Sequence, residues 1–267
     1  ASDVYKRQIM YSYKFKSLNY ITNYGFNNNL KKLIILPGLG CEAKEYQYLF
    51  GVSGLKYQII IIEIPGHNFS SLNFRNDYLL EFAKQIFLFI KYKNIKNITF
   101  YAHSISCITL ILLFKNFIKN HRYFKFIINE GNLIESDCSN VTKKTTLYEK
   151  DYFINSGFSK LCKVCSSSSD TAVKNWSLSL RKLSSKNFYF YCKSAMRWTK
   201  NTYLLGYYKI LFKKKIYIYG EKSKNQELLG MLNGERKVCI KKAGHFSHSY
   251  NKSNLSKVLI KFLNKSE

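Results

Sequence analysis

Residues 98–114, ITFYAHSISCITLILLF, change character twice within one short stretch. A β-branched and aromatic run at 98–101 is followed by small and polar residues at 102–106, and an apolar segment fills 107–114. The last segment is too long to be one more strand. The order therefore predicts a short strand, a sharp turn and a buried helix, with Ser104 in the turn.

Small residues, Ala102 and Ser106, flank Ser104. A strand that reverses directly into a helix brings backbone close to these two positions, where a large side chain would clash. Nucleophilic serines often lie on such a turn, in the pattern Gly-x-Ser-x-Gly, although both glycines are replaced here. A second interpretation is an ordinary buried strand–helix unit in which the serine caps the helix.

The length and composition favour a folded protein with a sizeable core. A chain of 267 residues, of which 46% are hydrophobic, can form one large α/β domain or two small ones. The net charge of +27 favours nucleic acid or an anionic membrane as a partner. The lysines are spread along the chain, however, and we find no nucleic-acid-binding motif. We therefore expect no specific nucleic-acid partner, and at most a weak, salt-sensitive contact with an anionic membrane surface.

The cysteines indicate a reducing compartment. There are seven, an odd number, and they are scattered, so we expect buried thiols in a cytoplasmic protein. The pair Cys162 and Cys165 stands alone, whereas a zinc site would need a second ligand pair. Residues 1–20 have no apolar core of the secretory type. Residues 1–9 match no predicted element and are candidates for a non-native segment.

Buried strands alternate with helices along most of the chain. The continuous apolar run at 58–64 predicts an interior parallel strand that is covered on both faces. Together the segments predict a mostly parallel central sheet with helices on both faces. The predicted strands are 10–15 (at an edge), 33–36, 58–64, 98–101, 124–129, 216–219 and 236–240, and the predicted helices, besides the one after Ser104, are 42–50, 76–92 and 253–263.

Residues 138–208 differ from the rest of the chain. They are rich in Ser, Lys and Thr, and they lack the alternation of strand and helix signals. We interpret them as a mostly helical insertion over the sheet. The chain then consists of a core, 10–137 and 209–267, and an inserted cap, 138–208.

Four features occur in a fixed order at the ends of predicted strands. They are the turn Pro37-Gly38-Leu39-Gly40, the segment Ile64-Pro65-Gly66-His67, the turn at Ser104, and the late pair Gly244-His245. Together they resemble the α/β-hydrolase family, and the match covers nearly all of the chain outside 138–208. The resemblance implies an α/β-hydrolase fold with a helical cap insertion, and the activity of a serine hydrolase.

The resemblance implies that His245 is the general base. A serine hydroxyl is a weak nucleophile near neutral pH, and histidine, with a reference pKa of ~6.5, suits the removal of its proton. His245 follows the last strand, where the family's histidine lies, while His248 lacks the preceding glycine. We expect His103 to be structural, with its side chain pointing away from the substrate face. We expect His67 to order its own loop.

The acid that orients the histidine departs from the commonest family pattern. The usual aspartate position, about three residues past the glycine that follows strand 216–219, is Ser223, and a hydroxyl cannot supply the charge. Members that resemble haloalkane dehalogenases place the acid after the preceding strand, where this chain has Glu130. Glu130 is therefore the predicted acid, Glu221 the second candidate and Asp137 the third.

The resemblance also implies two backbone N–H donors for the developing oxyanion, those of Leu39 and Ile105. Ile105 lies at a predicted helix N-terminus, whose partial positive charge favours an anion. Gly38 and Gly40 allow the first loop to approach the site closely.

Two functions are compatible with these residues. The first is a serine hydrolase that cleaves a small-molecule ester or related acyl bond through an acyl-enzyme on Ser104, with no metal or organic cofactor. The second is a catalytically silent member of the fold that acts as a binding or scaffold protein. Neither the substrate nor the oligomeric state follows from these residues.

We expect the cap to cover the site. Its aromatic residues are candidates to line the site, although for most of them we favour packing onto the sheet. They are Trp176, Phe188, Tyr191 and Trp198.

Overall fold

The computed structural model describes residues 10–26, 29–67, 74, 77–119, 124–138 and 140–264. The interpretation of residues 1–9 therefore lies outside the described residues. Across the described part of the chain, no helix combines the length and the apolar character that crossing a bilayer requires.

The described residues form an eight-stranded, mostly parallel sheet. The strands lie in the order β1-β2-β4-β3-β5-β6-β7-β8. Strands β3 to β8 pair in parallel, whereas β1 and β2 form an antiparallel hairpin at one edge. The strands are β1 (Tyr11–Phe15), β2 (Leu18–Thr22), β3 (Lys32–Leu36), β4 (Gln58–Ile62), β5 (Ile98–His103), β6 (Lys125–Asn129), β7 (Lys214–Gly220) and β8 (Lys237–Ile240).

The apolar central strands are buried on both faces of the sheet. In β3, Leu33 and Ile35 belong to one core cluster, while Ile34 and Leu36 belong to the other. Successive side chains of a strand point to opposite faces, so a strand between two layers of helices must be apolar throughout. The predicted fold class, a mostly parallel sheet covered by helices, is confirmed.

The observed sheet differs from the predicted one in two details. The strand β2 was not predicted, because its alternation is weak and includes the polar Asn19. As a consequence, β4 is an interior strand but is parallel only to β3, and it is antiparallel to β2. The tight turn between β1 and β2, with Lys16 at φ +52°, permits this antiparallel pairing.

Helices cover both faces. Helix α1 begins after Asp77, whose carboxylate accepts a hydrogen bond from the N–H of Leu80, as is typical of an N-cap. Helix α2 directly follows the Ser104 turn and is buried over most of its length. A 3₁₀ helix at Ala43–Gly51 occupies the segment predicted as a short helix. The helices outside the segment between β6 and β7 are α1 (Tyr78–Tyr92), α2 (Ser106–Asn116), α9 (Gln226–Met231), α10 (Ser247–Tyr250) and α11 (Lys252–Leu263).

Within the described residues, the segment between β6 and β7 contains helices and no strand of the sheet. A π-helical turn, Phe153–Gly157, joins two of these helices. Cys162 and Cys165 lie on α5 as buried free thiols. The helices of this segment are α3 (Thr142–Leu147), α4 (Lys150–Tyr152), α5 (Phe158–Ser166), α6 (Thr171–Leu180), α7 (Ser185–Thr199) and α8 (Tyr203–Leu211).

Candidate active site

Ser104 lies on a strained turn between β5 and α2. Its φ of +56° is in the left-handed region, which non-glycine residues seldom adopt and which is common at functional sites. Its N–H donates to the carbonyl of Asn129 at 3.0 Å, so the turn is anchored to the end of β6. Helix α2 begins two residues later, at Ser106.

The structure explains why the glycines that usually flank such a serine can be absent. Ala102 is fully buried within β5. The Ser106 hydroxyl donates to the carbonyl of Pro37 at 2.5 Å. A small hydroxyl side chain therefore fits at the close approach, and it binds the start of α2 to the loop that carries Leu39.

The imidazole of His245 lies between Ser104 and Glu130. Its Nε2 is 3.0 Å from the Ser104 Oγ, and its Nδ1 is 3.4 Å from the Glu130 Oε2. The three residues follow β5, β6 and β8, whose carboxyl ends meet at one edge of the sheet. The Ser104 Oγ also lies 3.2 Å from the Asn132 Oδ1, so its single proton has a choice of two acceptors.

The Glu130 carboxylate lies between the ends of β6 and β7. The residue is nearly buried and has a φ of +51°. Its Oε1 accepts hydrogen bonds from the backbone N–H of Gly220 and, at 2.7 Å, from the Ser223 hydroxyl. Ser223 occupies the usual family position of the acid, and it donates to the carboxylate that comes from the neighbouring strand.

The two other candidate acids have different partners. Glu221 accepts a hydrogen bond from the N–H of Lys242 at 2.8 Å, in an exposed position. Asp137 lines the cavity described below, but its carboxylate accepts from two backbone N–H groups of the preceding turn and from the Asn225 side chain at 2.7 Å. Burial raises the pKa of Asp137 to about 6. In the hydrogen bonds of the described residues, the imidazole of His245 is paired with Glu130 rather than with either of these.

His103 supports the loop that carries His245. Its ring is fully buried, with Nε2 3.0 Å from the carbonyl of His245 and Nδ1 2.9 Å from the Tyr46 hydroxyl. A carbonyl only accepts, so Nε2 must carry the proton and Nδ1 must accept from Tyr46. Burial holds the pKa of His103 well below its ordinary value. The ring is therefore neutral, with one tautomer fixed on both sides.

The remaining histidines do not contact Ser104 in the described hydrogen bonds. The Nε2 of His248 lies 3.2 Å from the Glu45 Oε2, and its ring stacks on Tyr46. His67 is fully buried, and burial lowers its pKa to about 4. Residues 68–73, which form most of the loop that His67 was predicted to order, lie outside the described residues.

The loop with the first predicted oxyanion donor is packed tightly against the site. A Cβ on Gly38 would lie 2.7 Å from the His103 Nδ1, and Gly40 has a φ of +78°. Both positions therefore require glycine. Trp176 of α6 donates its indole N–H to the carbonyl of Leu39 at 2.9 Å, which connects this loop to the segment between β6 and β7.

The second predicted oxyanion donor belongs to Ile105, which directly precedes the first residue of α2. Its N–H is therefore at the positive end of the helix. The roles of Leu39 and Ile105 as donors to an oxyanion remain predictions.

A cavity of about 680 Å³ contains Ser104, Glu130 and His245 in its lining. This volume is in the range of small-molecule sites. The segment between β6 and β7 gives the lining an apolar part besides polar residues such as Asp137 and Asn140, whereas a second part, polar and basic, follows β7. The first part includes Val141, Cys165, Val173, Trp176 and Phe188, and the second includes Lys222, Ser223, Lys224, Asn225 and Gln226.

Two of the four aromatic candidates line this cavity, Trp176 and Phe188. The other two form hydrogen bonds away from the cavity. The Tyr191 hydroxyl donates to the carbonyl of Pro65 at 3.0 Å, and the Trp198 indole donates to Asp77 at 2.8 Å. Sequence reasoning could not separate the two pairs, because all four are apolar residues on helices.

Side chains of the kind that bind metal ions lie close together outside the cavity. Within the described residues, Cys41, Glu45 and His248 form a cluster of the kind that could hold a cation. None of the three is part of the cavity lining.

Comparison with solved structures identifies the fold. A carboxylesterase structure from the ammonia-oxidizing thaumarchaeon Nitrososphaera gargenis has a TM-score of 0.74 and 14% identity, and the match covers 96% of this chain and 97% of that one. The N-acyl homoserine lactonase AidH, as a mutant complexed with N-hexanoyl homoserine, has a TM-score of 0.73 and 11% identity, covering 97% and 99%. An esterase from Exiguobacterium antarcticum has a TM-score of 0.67 and 12% identity, covering 93% and 96%.

No protein-family model matches the sequence, and no curated protein matches it. The structural similarity extends over nearly the whole of each chain, and at these identities it establishes the architecture. It agrees with the mostly parallel, eight-stranded sheet of this chain. This chain has the α/β-hydrolase fold.

Proposed function

We propose that the chain is a serine hydrolase that cleaves an ester, thioester or related acyl bond, with Ser104 as nucleophile, His245 as base and Glu130 as acid. One observation carries the proposal. The His245 ring lies 3.0 Å from the serine hydroxyl through one nitrogen and 3.4 Å from the carboxylate through the other. A ring held in this way can take a proton on Nε2 while the carboxylate stabilises the positive charge.

In the first half of the reaction, the Ser104 Oγ attacks the acyl carbon and its proton passes to the His245 Nε2. The carbonyl oxygen of the substrate becomes an oxyanion, which the N–H groups of Leu39 and Ile105 stabilise. The tetrahedral intermediate then collapses. The bond to the alcohol or thiol breaks, His245 returns the proton to the leaving group, and an acyl ester remains on Ser104.

In the second half, water takes the place of the leaving group. His245 removes a proton from the water as its oxygen attacks the acyl-enzyme, and the same proton then returns to the Ser104 Oγ when the acyl bond breaks. The products are a carboxylic acid and the free enzyme. The hydroxyl of Ser104 must point to His245 rather than to Asn132 for the first step to occur.

We assign residues 138–208 the role of a cap that closes the cavity over the substrate. The apolar side chains of Val173, Trp176 and Phe188 suit the hydrocarbon part of an acyl group, since burial of apolar surface is favourable. Structural neighbours described as carboxylesterase, lactonase and esterase support acyl–oxygen bonds as the first class of substrate to test.

A fluorophosphonate probe tests the proposal directly, because it forms a covalent bond only with an activated serine. We expect the probe to label the wild-type chain at Ser104 and to fail with Ser104→Ala. The control is Ser136→Ala, which removes another serine of the cavity lining and should leave labelling unchanged. A folded wild-type chain that takes up no probe would support the catalytically silent alternative and overturn the proposal.

A further inference from the structure

A second cluster of chemically active side chains lies outside the cavity. Cys41, Glu45 and His248 each offer one ligand atom, and these three atoms lie within 4.8 Å of one another. Cys41 and His248 are buried, while the Glu45 side chain is 20% exposed. The partial exposure of Glu45 places the cluster near the protein surface.

Each of the three side chains has an atom that could bind a metal ion. Cys41 is a free thiol, and burial together with the charge of Glu45 raises its pKa well above the ordinary value. His248 is bonded through Nε2 only, because its Nδ1 is buried with no hydrogen-bond partner among the described residues. Buried polar atoms without partners are uncommon in folded proteins. The Glu45 Oε2 faces His248 at 3.2 Å, while its Oε1 accepts from the N–H of Glu42.

The donor set is one that suits zinc. Sulfur, imidazole nitrogen and carboxylate oxygen are the ligands of zinc, with bond lengths of ~2.0–2.3 Å, which place tetrahedral ligand atoms ~3.3–3.8 Å apart. The His248–Glu45 separation of 3.2 Å is already close to that spacing. Since the three ligand atoms lie within 4.8 Å of one another, the Cys41 sulfur would have to approach the other two by at most about 1.5 Å. A thiolate and a carboxylate together also neutralise a divalent cation, which a buried site requires.

We propose that Cys41, Glu45 and His248 bind one Zn²⁺ ion, with water in the fourth position. On binding, the Cys41 thiol releases its proton to solvent and the thiolate donates an electron pair to the metal. No oxidation or reduction takes place. Glu45 binds as the carboxylate, and His248 binds through Nε2, whose proton moves to the Nδ1 left unpartnered by the described residues, so the imidazole stays neutral.

The location gives the ion a structural consequence. Cys41 is two residues after Leu39, and its N–H donates to the carbonyl of Gly38 at 3.0 Å. His248 is three residues after His245. A metal bound at both would join the glycine turn to the loop of the proposed catalytic histidine, two segments that come from opposite ends of the chain.

Cobalt is the probe that tests the site, since Co²⁺ enters zinc sites and its bond to a thiolate absorbs light. We expect the full chain, stripped of metal by a chelator, to bind one equivalent of Co²⁺ with a thiolate charge-transfer band. Zn²⁺ should displace the Co²⁺ and raise the melting temperature. Cys41→Ser should lose the band and bind at least about 100-fold more weakly, since even an outer partner of a ligand is worth about 10–100-fold.

The matched control is Cys192→Ser, which removes another fully buried free thiol and should keep both the band and the affinity. If Cys41→Ser does not fold, Glu45→Gln provides the test, because it should keep the band and weaken binding. A wild-type chain without the band, or an equal band in Cys41→Ser, would overturn the proposal and leave Glu45 and His248 as a simple hydrogen-bonded pair. Metal binding is measured here without hydrolysis, so its failure is distinct from a failure of the proposed activity.

Discussion

The carboxyl ends of β6 and β7 lie side by side, and they carry different groups. After β6 the chain places a carboxylate, Glu130, whereas after β7 it places a hydroxyl, Ser223, and the two are joined by a hydrogen bond of 2.7 Å. The side chains at both positions therefore reach the same place beside His245. The comparison teaches that the acid of such a site is defined by a point in space, which either of two adjacent strands can reach.

The largest expected effects come from the groups that transfer the proton. Ser104→Ala or His245→Gln should lower the turnover of an activated ester by about 10⁴-fold or more. Glu130→Gln should lower it by about 10³–10⁴-fold, because the imidazolium then loses its charge partner. Turnover is measured with purified variants whose folding has been checked by circular dichroism.

Glu221→Gln is the matched control for the β6 position, because it changes a glutamate next to β7 that hydrogen-bonds only to the loop backbone at Lys242 among the described contacts. We expect it to change turnover by no more than a few-fold. If Glu221→Gln were the more damaging variant, the acid would come from β7 and the assignment of Glu130 would be wrong.

A third carboxylate, that of Asp137, should make the stability of the chain depend on pH. Its pKa is raised by burial from 3.8 to about 6, so the folded chain holds a proton that the unfolded chain releases between these values. Wild-type stability should therefore fall as the pH rises through this window. Relative to the wild type, Asp137→Asn should gain up to about 3 kcal/mol in unfolding free energy between pH 4 and pH 7.

Urea denaturation of Asp137→Asn and the wild type at the two pH values measures this difference. Equal differences at pH 4 and pH 7 would show that Asp137 is not held in a desolvated state. A loss of turnover like that of Glu130→Gln would show instead that both carboxylates serve His245.

The support of the His245 loop by His103 should have a smaller effect on the same reaction. His103→Phe removes the hydrogen bond to the carbonyl of His245, and we expect turnover to fall by about 10- to 100-fold through misplacement of the ring. His103→Gln should recover much of this loss, since an amide can donate to the carbonyl and accept from Tyr46. Equal losses in both variants would argue for a packing role alone.

The comparison between β6 and β7 can be sharpened by moving the acid. In the double variant Glu130→Ser with Ser223→Asp, the carboxylate comes from β7 and the hydroxyl from β6. We expect this variant to be about 10-fold more active than Glu130→Ser alone, a non-additive gain that shows the two sites are coupled. No gain would mean that the strand ends are not equivalent sources of the acid.

The sheet could be predicted from the sequence because each buried parallel strand is visible as a short apolar run of its own. Runs such as 33–36 and 59–62 are apolar at every position, and this pattern survives without any knowledge of neighbours. The strand β2 was missed because its five residues, Leu18–Thr22, are few and mix polar with apolar side chains, although the fold buries four of them.

Of the residues in and around the candidate site, only those at the ends of strands could be predicted from the sequence. Ser104, Glu130 and His245 follow from motif positions, and the structure brings them within hydrogen-bonding distance, while their chemical roles stay predictions. The contact between Tyr46 and His103 and the cluster of Cys41, Glu45 and His248 carried no sequence signal. The residues of such contacts are far apart in the chain, by 203 positions for Glu45 and His248, and only the fold brings them together.

The hydrogen bond from Ser106 to the carbonyl of Pro37 has a consequence for motion. It links the first turn of α2, next to Ile105, with the loop that bears Leu39, so we expect the thermal displacements of the two segments to be correlated. The gap between their N–H groups then varies less than either position does alone. Ser106→Gly would remove this hydrogen bond, so the hydroxyl at 106 adds a connection that a glycine at the same place cannot make.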